Sequence, residues 1–173
     1  MYYSKITKFD TANGDGIRTV LWTSGCLHHC INCHNPETWD PNHGNLFTVD
    51  TLKEILDSIA PDYVDGLTLS GGDPLYFANL LTVKWIISKV REEYPSKNIW
   101  LYTGYRYEDL IEESRKDRVL KYIIRNIDVL VDGKYIDNLK DVSLPYCGSS
   151  NQRVIDIKRS RPHHIKLYES SYR

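Results

Sequence analysis

Short apolar runs alternate along this chain with longer stretches in which hydrophobic residues recur at helical spacing. The short runs are rich in β-branched and aromatic residues and are bounded by glycine, proline and polar turn residues, a pattern typical of buried strands. The strands predicted in this way span residues 17–24, 66–70, 98–103 and 127–131.

Helical periodicity fills the intervals between these strands. The sequence Thr51-x-x-Glu54 fits a capping box, and leucine and isoleucine residues follow it at positions that share one helix face. A later segment likewise has apolar residues on one face and charges on the other. The predicted helices run from residue 52 to Pro61, from 78 to 93 and, as two helices broken near Asp117, from 107 to 125.

This alternation predicts an α/β fold built from βαβ units with a parallel sheet. The strands are too few for a complete eight-stranded barrel, so we expect an incomplete, partial TIM-type βα barrel with mostly parallel strands, open on one side. Ligands bind such sheets at the carboxyl ends of the strands, so we expect four polar or glycine-rich segments to meet at one edge. They are the loop after residue 24, Gly71-Gly72-Asp73, Thr103-Gly104 and Asp132-Gly133-Lys134.

Three of the four cysteines lie in the loop after the strand at 17–24. Cys26, Cys30 and Cys33 have the spacing C-x3-C-x2-C, and such short intervals allow three thiolates to converge on one inorganic centre. Zinc, cuprous copper and iron-sulfur clusters prefer thiolate ligands. A structural zinc site requires a fourth ligand, which a histidine of the loop could supply, whereas a four-iron cluster on three cysteines keeps one iron open. The spacing favours the cluster and leaves zinc as the alternative.

The glycine pair at Gly71 and Gly72 has two interpretations. Gly-Gly is a common turn signal. Residues without Cβ also let the backbone approach a ligand closely and offer it amide and carbonyl groups, which would suit a ligand with both an ammonium and a carboxylate group. No nucleophile–base motif of a hydrolase occurs in the chain, which argues against covalent hydrolytic catalysis.

Length and charge limit the functional classes. The 173 residues suit one domain with a real core, and the net charge of −1 gives no electrostatic case for nucleic acid. The N-terminus lacks the apolar region of a signal peptide, and no apolar run is long enough to span a bilayer, so we expect no membrane partner. A cytoplasmic location is predicted, where clustered cysteines bind metals more often than they form disulfides. The 13 scattered tyrosines are interpreted as packing and rim residues.

Together these segments resemble a known family. The cysteine spacing is similar to the cluster motif of the radical S-adenosylmethionine superfamily. Within it, the chain resembles the activating proteins of anaerobic (class III) ribonucleoside-triphosphate reductase. The resemblance covers residues 1–157, taken as one domain, and leaves residues 158–173 as a basic C-terminal tail of unknown role. The supporting segments are residues 13–16, 70–74, 100–105, 131–135 and 148–153.

The resemblance implies that Cys26, Cys30 and Cys33 hold one 4Fe-4S cluster per chain, whose free iron is chelated by S-adenosylmethionine. One electron from the reduced cluster would cleave the cofactor and give a 5′-deoxyadenosyl radical. That radical would take a hydrogen atom from a glycine of the large reductase subunit and leave a glycyl radical there. The large subunit is thus the implied partner, and a small, flavodoxin-like redox protein is the expected electron donor.

The resemblance also implies which residues contact the cofactor, and no catalytic side chain beyond those that hold the cluster and the cofactor. The implied set comprises Gly71, Gly72 and Asp73 at the methionine amino end and Asn32, Cys33 and His34 at the adenosyl group. Thr103, Asp132 and Lys134 are further candidates for the same ligand, chosen by their position at strand ends.

Three positions depart from the family pattern. Asn32 stands where many members have an aromatic residue, His34 where tyrosine is usual, and Cys147 where arginine is common. Cys147 is expected to be a free thiol rather than a ligand. The alternative functions are the activation of another glycyl-radical enzyme of the pyruvate formate-lyase type, radical chemistry on a small molecule, and a zinc-stabilised binding module without catalysis.

Overall fold

The computed structural model describes residues 1–170, which form an α/β fold. The strands are β1 (Tyr2–Asp10), β2 (Arg18–Thr23), β3 (Asn45–Leu46), β4 (Gly66–Gly71), β5 (Asn98–Tyr102), β6 (Val129–Asp132) and β7 (Arg153–Asp156). The helices are α1 (Val49–Ile59), α2 (Leu80–Glu93), α3 (Tyr107–Glu113) and α4 (Arg118–Asn126). The strands form one mixed, open sheet in the order β3-β1-β2-β4-β5-β6-β7.

The four predicted strands are β2, β4, β5 and β6, and they pair in parallel at the centre of the sheet. The predicted α/β class and the open sheet are therefore confirmed. Parallel pairing is limited to these four strands, because β1 pairs antiparallel with β2 and with β3, and β7 pairs antiparallel with β6. The pairing order gives an open mixed sheet and does not confirm a partial barrel.

The main hydrophobic core joins the four helices to one face of the sheet. Alternate strand residues such as Leu67 and Leu69 are fully buried in it, as expected when successive side chains point to opposite faces. Helix α1 begins earlier than predicted, because Thr48 and Thr51 form the capping box. Asp117 caps α4, which confirms the predicted break between α3 and α4. Within residues 1–170, no helix has both the length and the apolar composition that a membrane crossing requires.

The opposite face of the sheet carries a smaller apolar cluster around Trp100. The rings of Tyr146 and Tyr168 pack against Trp100 edge to face, each with its centroid 5.0 Å away. Tyr168 belongs to the predicted tail, so part of that tail covers this face. Residues 171–173 lie outside the described residues, and a domain boundary at residue 157 stays a prediction.

Two buried charged residues connect this face to the segment before β2. Arg18 donates hydrogen bonds to oxygen atoms of β4, β5 and the preceding loop, and desolvation lowers its pKa to about 10. Asp15 accepts hydrogen bonds from the hydroxyls of Tyr146, of Tyr168 at 2.8 Å and of Ser170 at 2.9 Å. The C-terminal tail is thereby hydrogen-bonded to the N-terminal part of the chain.

Candidate functional site

A cavity of about 210 Å³ lies at the carboxyl edge of the parallel strands. Its wall comes from the cysteine loop, from the ends of β4 and β5, from Gly133 after β6, and from a further loop between residues 146 and 152. The predicted meeting of four strand-end segments is thus confirmed. A concave site at this edge is where ligands bind to parallel α/β sheets.

The three clustered cysteines all line this cavity as free thiols. Cys26 is 8% exposed, whereas Cys30 and Cys33 are half-buried. Burial raises the pKa of Cys26 to about 11. Burial also raises the pKa of Cys30, although the nearby ammonium group of Lys134 acts in the opposite direction. Because metal-bound cysteines are deprotonated, the binding of a cluster here would release protons.

The cysteine loop reverses direction through two residues in the left-handed backbone region. His29 and Asn32 have positive φ angles of 45° and 55°, and they lie in the two intervals between the cysteines. The amide of Cys33 donates to the carbonyl of Cys30 at 3.2 Å, which closes the second turn. Left-handed backbone is uncommon for residues other than glycine, and asparagine and histidine are among those that adopt it most readily.

The donor set fits an iron-sulfur cluster with one open iron. Three soft sulfur ligands line the cavity, and Cys147 is not part of its wall. Within residues 1–170, no group of three or more cysteine, histidine, aspartate or glutamate side chains is arranged to hold a single metal ion. A cluster of four irons and four sulfides is larger than one ion, so its thiolate ligands stand farther apart.

Three glycines of the wall lie where a side chain would collide with the protein itself. A Cβ on Gly71, whose φ is +106°, would lie 2.5 Å from the backbone of β2, and one on Gly72 would lie 2.8 Å from the carbonyl oxygen of Gly25. A Cβ on Gly104 would lie 2.4 Å from the ring of His28. Glycine is therefore required at these positions so that the ends of β4 and β5 can pack closely against β2 and the cysteine loop.

Asp73 is 1% exposed and is not part of the cavity wall. Its carboxylate accepts hydrogen bonds from the hydroxyl of Thr103 at 2.9 Å, the amide of Gly104 at 3.1 Å and the amide of Leu75 at 2.8 Å. The Nε2 atom of His28 also donates to it, at 2.7 Å. Asp73 therefore joins the cysteine loop to the ends of β4 and β5, and its oxygens are engaged by the protein.

Asp132 has a similar structural position at the end of β6. It is 1% exposed, and it accepts hydrogen bonds from the first amide of α3 at 2.8 Å and from Nε of Arg153 at 3.0 Å. Arg153 also donates to both oxygens of Glu108, and these hydrogen bonds lower the pKa of Glu108 to about 2. Asp132 thus connects β6 to β7 and α3.

Asn32, His34 and Lys134 occupy different positions around the site. The ring of His34 lines the cavity beside Tyr135, with ring centroids 6.2 Å apart. The side-chain amide of Asn32 donates to Asp137 at 2.9 Å, and Lys134 is exposed and borders a neighbouring surface pocket. Of the predicted site residues, the wall contains Cys26, Cys30, Cys33, His34, Gly71, Gly72 and Thr103, and it omits Asn32, Asp73, Asp132 and Lys134.

The wall also contains aromatic residues that sequence reasoning did not single out as site residues. Tyr102 ends β5 and Tyr135 follows β6, so their position at strand ends is the signal that could have identified them. Tyr146 and Trp39 also line the cavity, but both lie outside the strands and carried no such signal.

Comparison with known proteins agrees with this arrangement. Residues 12–155 match the family model of the 4Fe-4S single cluster domain. The chain is 44% identical over 154 residues to the anaerobic ribonucleoside-triphosphate reductase-activating protein of Enterobacteria phage T4, a match that covers 89% of this chain and 93% of that protein. Proteins of the same name from Vibrio cholerae serotype O1 and Escherichia coli (strain K12) are 40% and 38% identical, over 89% of this chain and 97% of each relative. This chain therefore belongs to the family of anaerobic ribonucleoside-triphosphate reductase-activating proteins and contains its 4Fe-4S single cluster domain.

Proposed function

We propose that this protein activates an anaerobic ribonucleoside-triphosphate reductase by generating a glycyl radical on the large reductase subunit. The observation that carries the proposal is the placement of three cysteines with C-x3-C-x2-C spacing along one cavity at the carboxyl edge of a parallel sheet. The names of its relatives, which are reductase-activating proteins, support the same target. A 4Fe-4S cluster on three thiolates keeps one iron available for a further ligand, which S-adenosylmethionine would provide.

When bound, the cluster and S-adenosylmethionine would supply the radical chemistry, in which one electron would cleave the sulfur–C5′ bond and a hydrogen atom would be taken from a glycine Cα of the reductase. The protein's own residues bind and orient these groups. Cys26, Cys30 and Cys33 would provide the thiolates. Gly71 and Gly72 lie on the same cavity wall, where their backbone amide and carbonyl groups would contact the amino-acid end of the cofactor.

The remaining predicted residues divide into contact and positioning roles. His34 and Thr103 line the cavity, and we assign them to contact with the cofactor. Asp73 and Asp132 are buried and hydrogen-bonded within the protein, so we assign them to positioning the strand-end segments. Asn32 fixes the cysteine loop through Asp137, and Lys134 acts on the loop through its charge.

The large reductase subunit is the proposed protein substrate, and its glycine would reach the cavity from the open side of the site. A small, flavodoxin-like redox protein is the proposed electron donor in the cytoplasm, and we propose neither a nucleic acid nor a membrane partner.

Residues 1–157 are proposed to form the radical S-adenosylmethionine domain, with its sheet curved as a partial βα barrel. Residues 158–173 would be an appended tail.

Electron paramagnetic resonance tests the proposal directly. The protein is reconstituted anaerobically with iron and sulfide, reduced, and mixed with S-adenosylmethionine and the large reductase subunit. A glycyl radical signal is expected on the reductase, together with 5′-deoxyadenosine and methionine. A reductase variant with alanine at the radical glycine is the control and should give no signal. Cleavage of S-adenosylmethionine without a glycyl radical would refute the proposed target, and one tightly bound zinc without any cluster would support the binding-module alternative.

The ligand assignment has its own test, because the chain offers a matched control cysteine. Cys147 is a half-buried free thiol outside the cavity wall. Alanine at Cys26, Cys30 or Cys33 should abolish cluster binding, measured as iron and sulfide content and as the visible absorption of the reconstituted protein. Cys147→Ala should retain the cluster. Equal loss of iron in all four variants would show that the ligand set is wrong.

A further inference from the structure

Three tyrosines line the cavity, and their hydroxyl groups differ in their hydrogen bonds. The hydroxyl of Tyr135 donates to Asp137 at 2.8 Å, and the hydroxyl of Tyr146 donates to Asp15. The hydroxyl of Tyr102 is buried and has no hydrogen-bond partner within residues 1–170. Tyr102 is thus the tyrosine of the wall whose hydroxyl the described protein leaves unsatisfied.

Such a group is rare in this structure. Within the described part of the chain, the other buried side-chain oxygen or nitrogen without a partner is Oγ of Ser24, which is not part of the cavity wall. Buried hydroxyls are usually hydrogen-bonded because the loss of their bonds to water is unfavourable. Because Tyr102 is itself part of the cavity wall, a molecule bound in the cavity is the candidate for the missing acceptor.

The position of Tyr102 in the sheet favours contact with a ligand that spans several strand ends. Tyr102 ends β5, which lies between β4 and β6, and both neighbours also contribute wall residues from their ends, Gly71 and Gly133. Tyr102 packs against the smaller apolar cluster around Trp100. Desolvation in this environment raises the pKa of Tyr102 well above its usual value, so the hydroxyl keeps its proton. A protonated hydroxyl has one hydrogen bond to donate, and it can also accept one.

We infer that Tyr102 binds S-adenosylmethionine: its hydroxyl donates a hydrogen bond to an oxygen atom of the bound cofactor, either of the carboxylate or of the ribose. This inference rests on the proposed function, which names the cofactor. Tyr135 and Tyr146 are less suited to this contact because their hydroxyls already donate to carboxylates of the protein.

The test compares Tyr102→Phe, which removes only the hydroxyl, with Tyr135→Phe, which removes a hydroxyl already bonded to the protein. Binding is measured by equilibrium dialysis of S-adenosylmethionine against the reconstituted protein without reductant, so that no cleavage occurs. Tyr102→Phe should weaken binding by roughly fivefold to tenfold, the effect of one hydrogen bond. Tyr135→Phe should change the Kd by less than about twofold.

A second measurement separates a ligand contact from a structural role. The Tyr102 hydroxyl has no partner in the described protein, so Tyr102→Phe should not lower the urea midpoint of the cluster-free protein. Tyr146→Phe should lower that midpoint, because it removes a donor from the buried carboxylate of Asp15. A lower midpoint for Tyr102→Phe would show that its hydroxyl has a structural partner and would overturn the inference.

The two possible acceptors are distinguished with 5′-methylthioadenosine, which has the ribose but no carboxylate. Weaker binding of both molecules to Tyr102→Phe indicates the ribose, whereas weaker binding of S-adenosylmethionine alone indicates the carboxylate; either result supports the contact. An unchanged Kd for S-adenosylmethionine in Tyr102→Phe refutes the contact and leaves the proposed function intact. If the unmodified protein binds no S-adenosylmethionine, the proposed function itself fails.

Discussion

The substitution Asp73→Asn tests whether this residue organises the site or binds the cofactor. One oxygen of Asp73 accepts hydrogen bonds from His28, Thr103 and Gly104. The other accepts one from the amide of Leu75 at 2.8 Å and shares the Thr103 hydroxyl at 3.1 Å. An asparagine oxygen can replace only one of the two. Its amide group would then place a second donor against an existing donor, at a position that is 1% exposed.

The expected loss of stability follows from these contacts. A hydrogen bond to a charged acceptor contributes about 1.5–3 kcal/mol, and a buried donor left without an acceptor adds a penalty of similar size. Asp73→Asn should therefore lower the free energy of unfolding by roughly 3 kcal/mol. For a domain of this size, that corresponds to a fall in Tm of about 6–12 °C.

The assay is urea and thermal unfolding of the cluster-free protein under reducing, anaerobic conditions, so that neither cluster nor cofactor contributes to stability. Asp137→Asn is the control, because Asp137 also accepts side-chain hydrogen bonds but lies at the surface, and its Tm should stay close to that of the parent protein. The reasoning is refuted if Asp73→Asn keeps its full stability without the cluster and loses only the binding of S-adenosylmethionine. That result would make Asp73 a direct ligand contact.

Three further predictions concern the charged residues that support the fold. Arg153→Met leaves Asp132 buried without its partner and should lower the free energy of unfolding by about 3 kcal/mol, measured by urea unfolding. The pKa of Glu108 falls from 4.5 to about 2 in the folded protein, so its contribution to stability is complete above pH 4.5 and is lost as the pH falls toward about 2. The pH dependence of the free energy of unfolding in this window should be smaller in Arg153→Met. An unchanged pH dependence would contradict the pairing of Arg153 with Glu108. Tyr168→Phe removes a donor from buried Asp15 and should cost about 1.5–3 kcal/mol in the same urea assay, whereas no loss would show that this hydrogen bond does not stabilise the tail.

Sequence patterns predicted the centre of the sheet because β2, β4, β5 and β6 are apolar runs that local periodicity can identify. The outer strands β1, β3 and β7 were missed for a physical reason. Apart from Ile155 of β7, their residues are only partly buried or exposed, and each strand pairs antiparallel at or near an edge of the sheet. Their formation therefore depends on a partner strand rather than on a strong hydrophobic pattern of their own.

The sequence predicted the parts of the site that are formed by residues close together in the chain. The cysteine loop and the pair Gly71-Gly72 are local motifs, and all of these residues line the cavity. The burial of Asp73 was not predictable, because its partners His28 and Thr103 are 45 and 30 residues away in the chain. From the sequence alone, a carboxylate at a strand end is predicted to contact the ligand, because these distant donors are not known.

Tyr102 shows the same limit more strongly. It is one of 13 tyrosines, and its position at a strand end does not distinguish it from Tyr135, which follows β6. Its distinction is the absence of a hydrogen-bond partner within residues 1–170, which depends on the packing of several segments around the ring. An unsatisfied buried group can be recognised only after the tertiary structure is known.

Transfer of a labelled hydrogen atom tests the central claim most directly. The large reductase subunit is produced with glycine deuterated at Cα and is mixed anaerobically with the reduced, reconstituted protein and S-adenosylmethionine. Mass spectrometry of the 5′-deoxyadenosine formed should show one deuterium atom taken from the reductase, with a yield that matches the glycyl radical counted by electron paramagnetic resonance. Unlabelled 5′-deoxyadenosine, formed at the same rate with and without the reductase, would contradict the account.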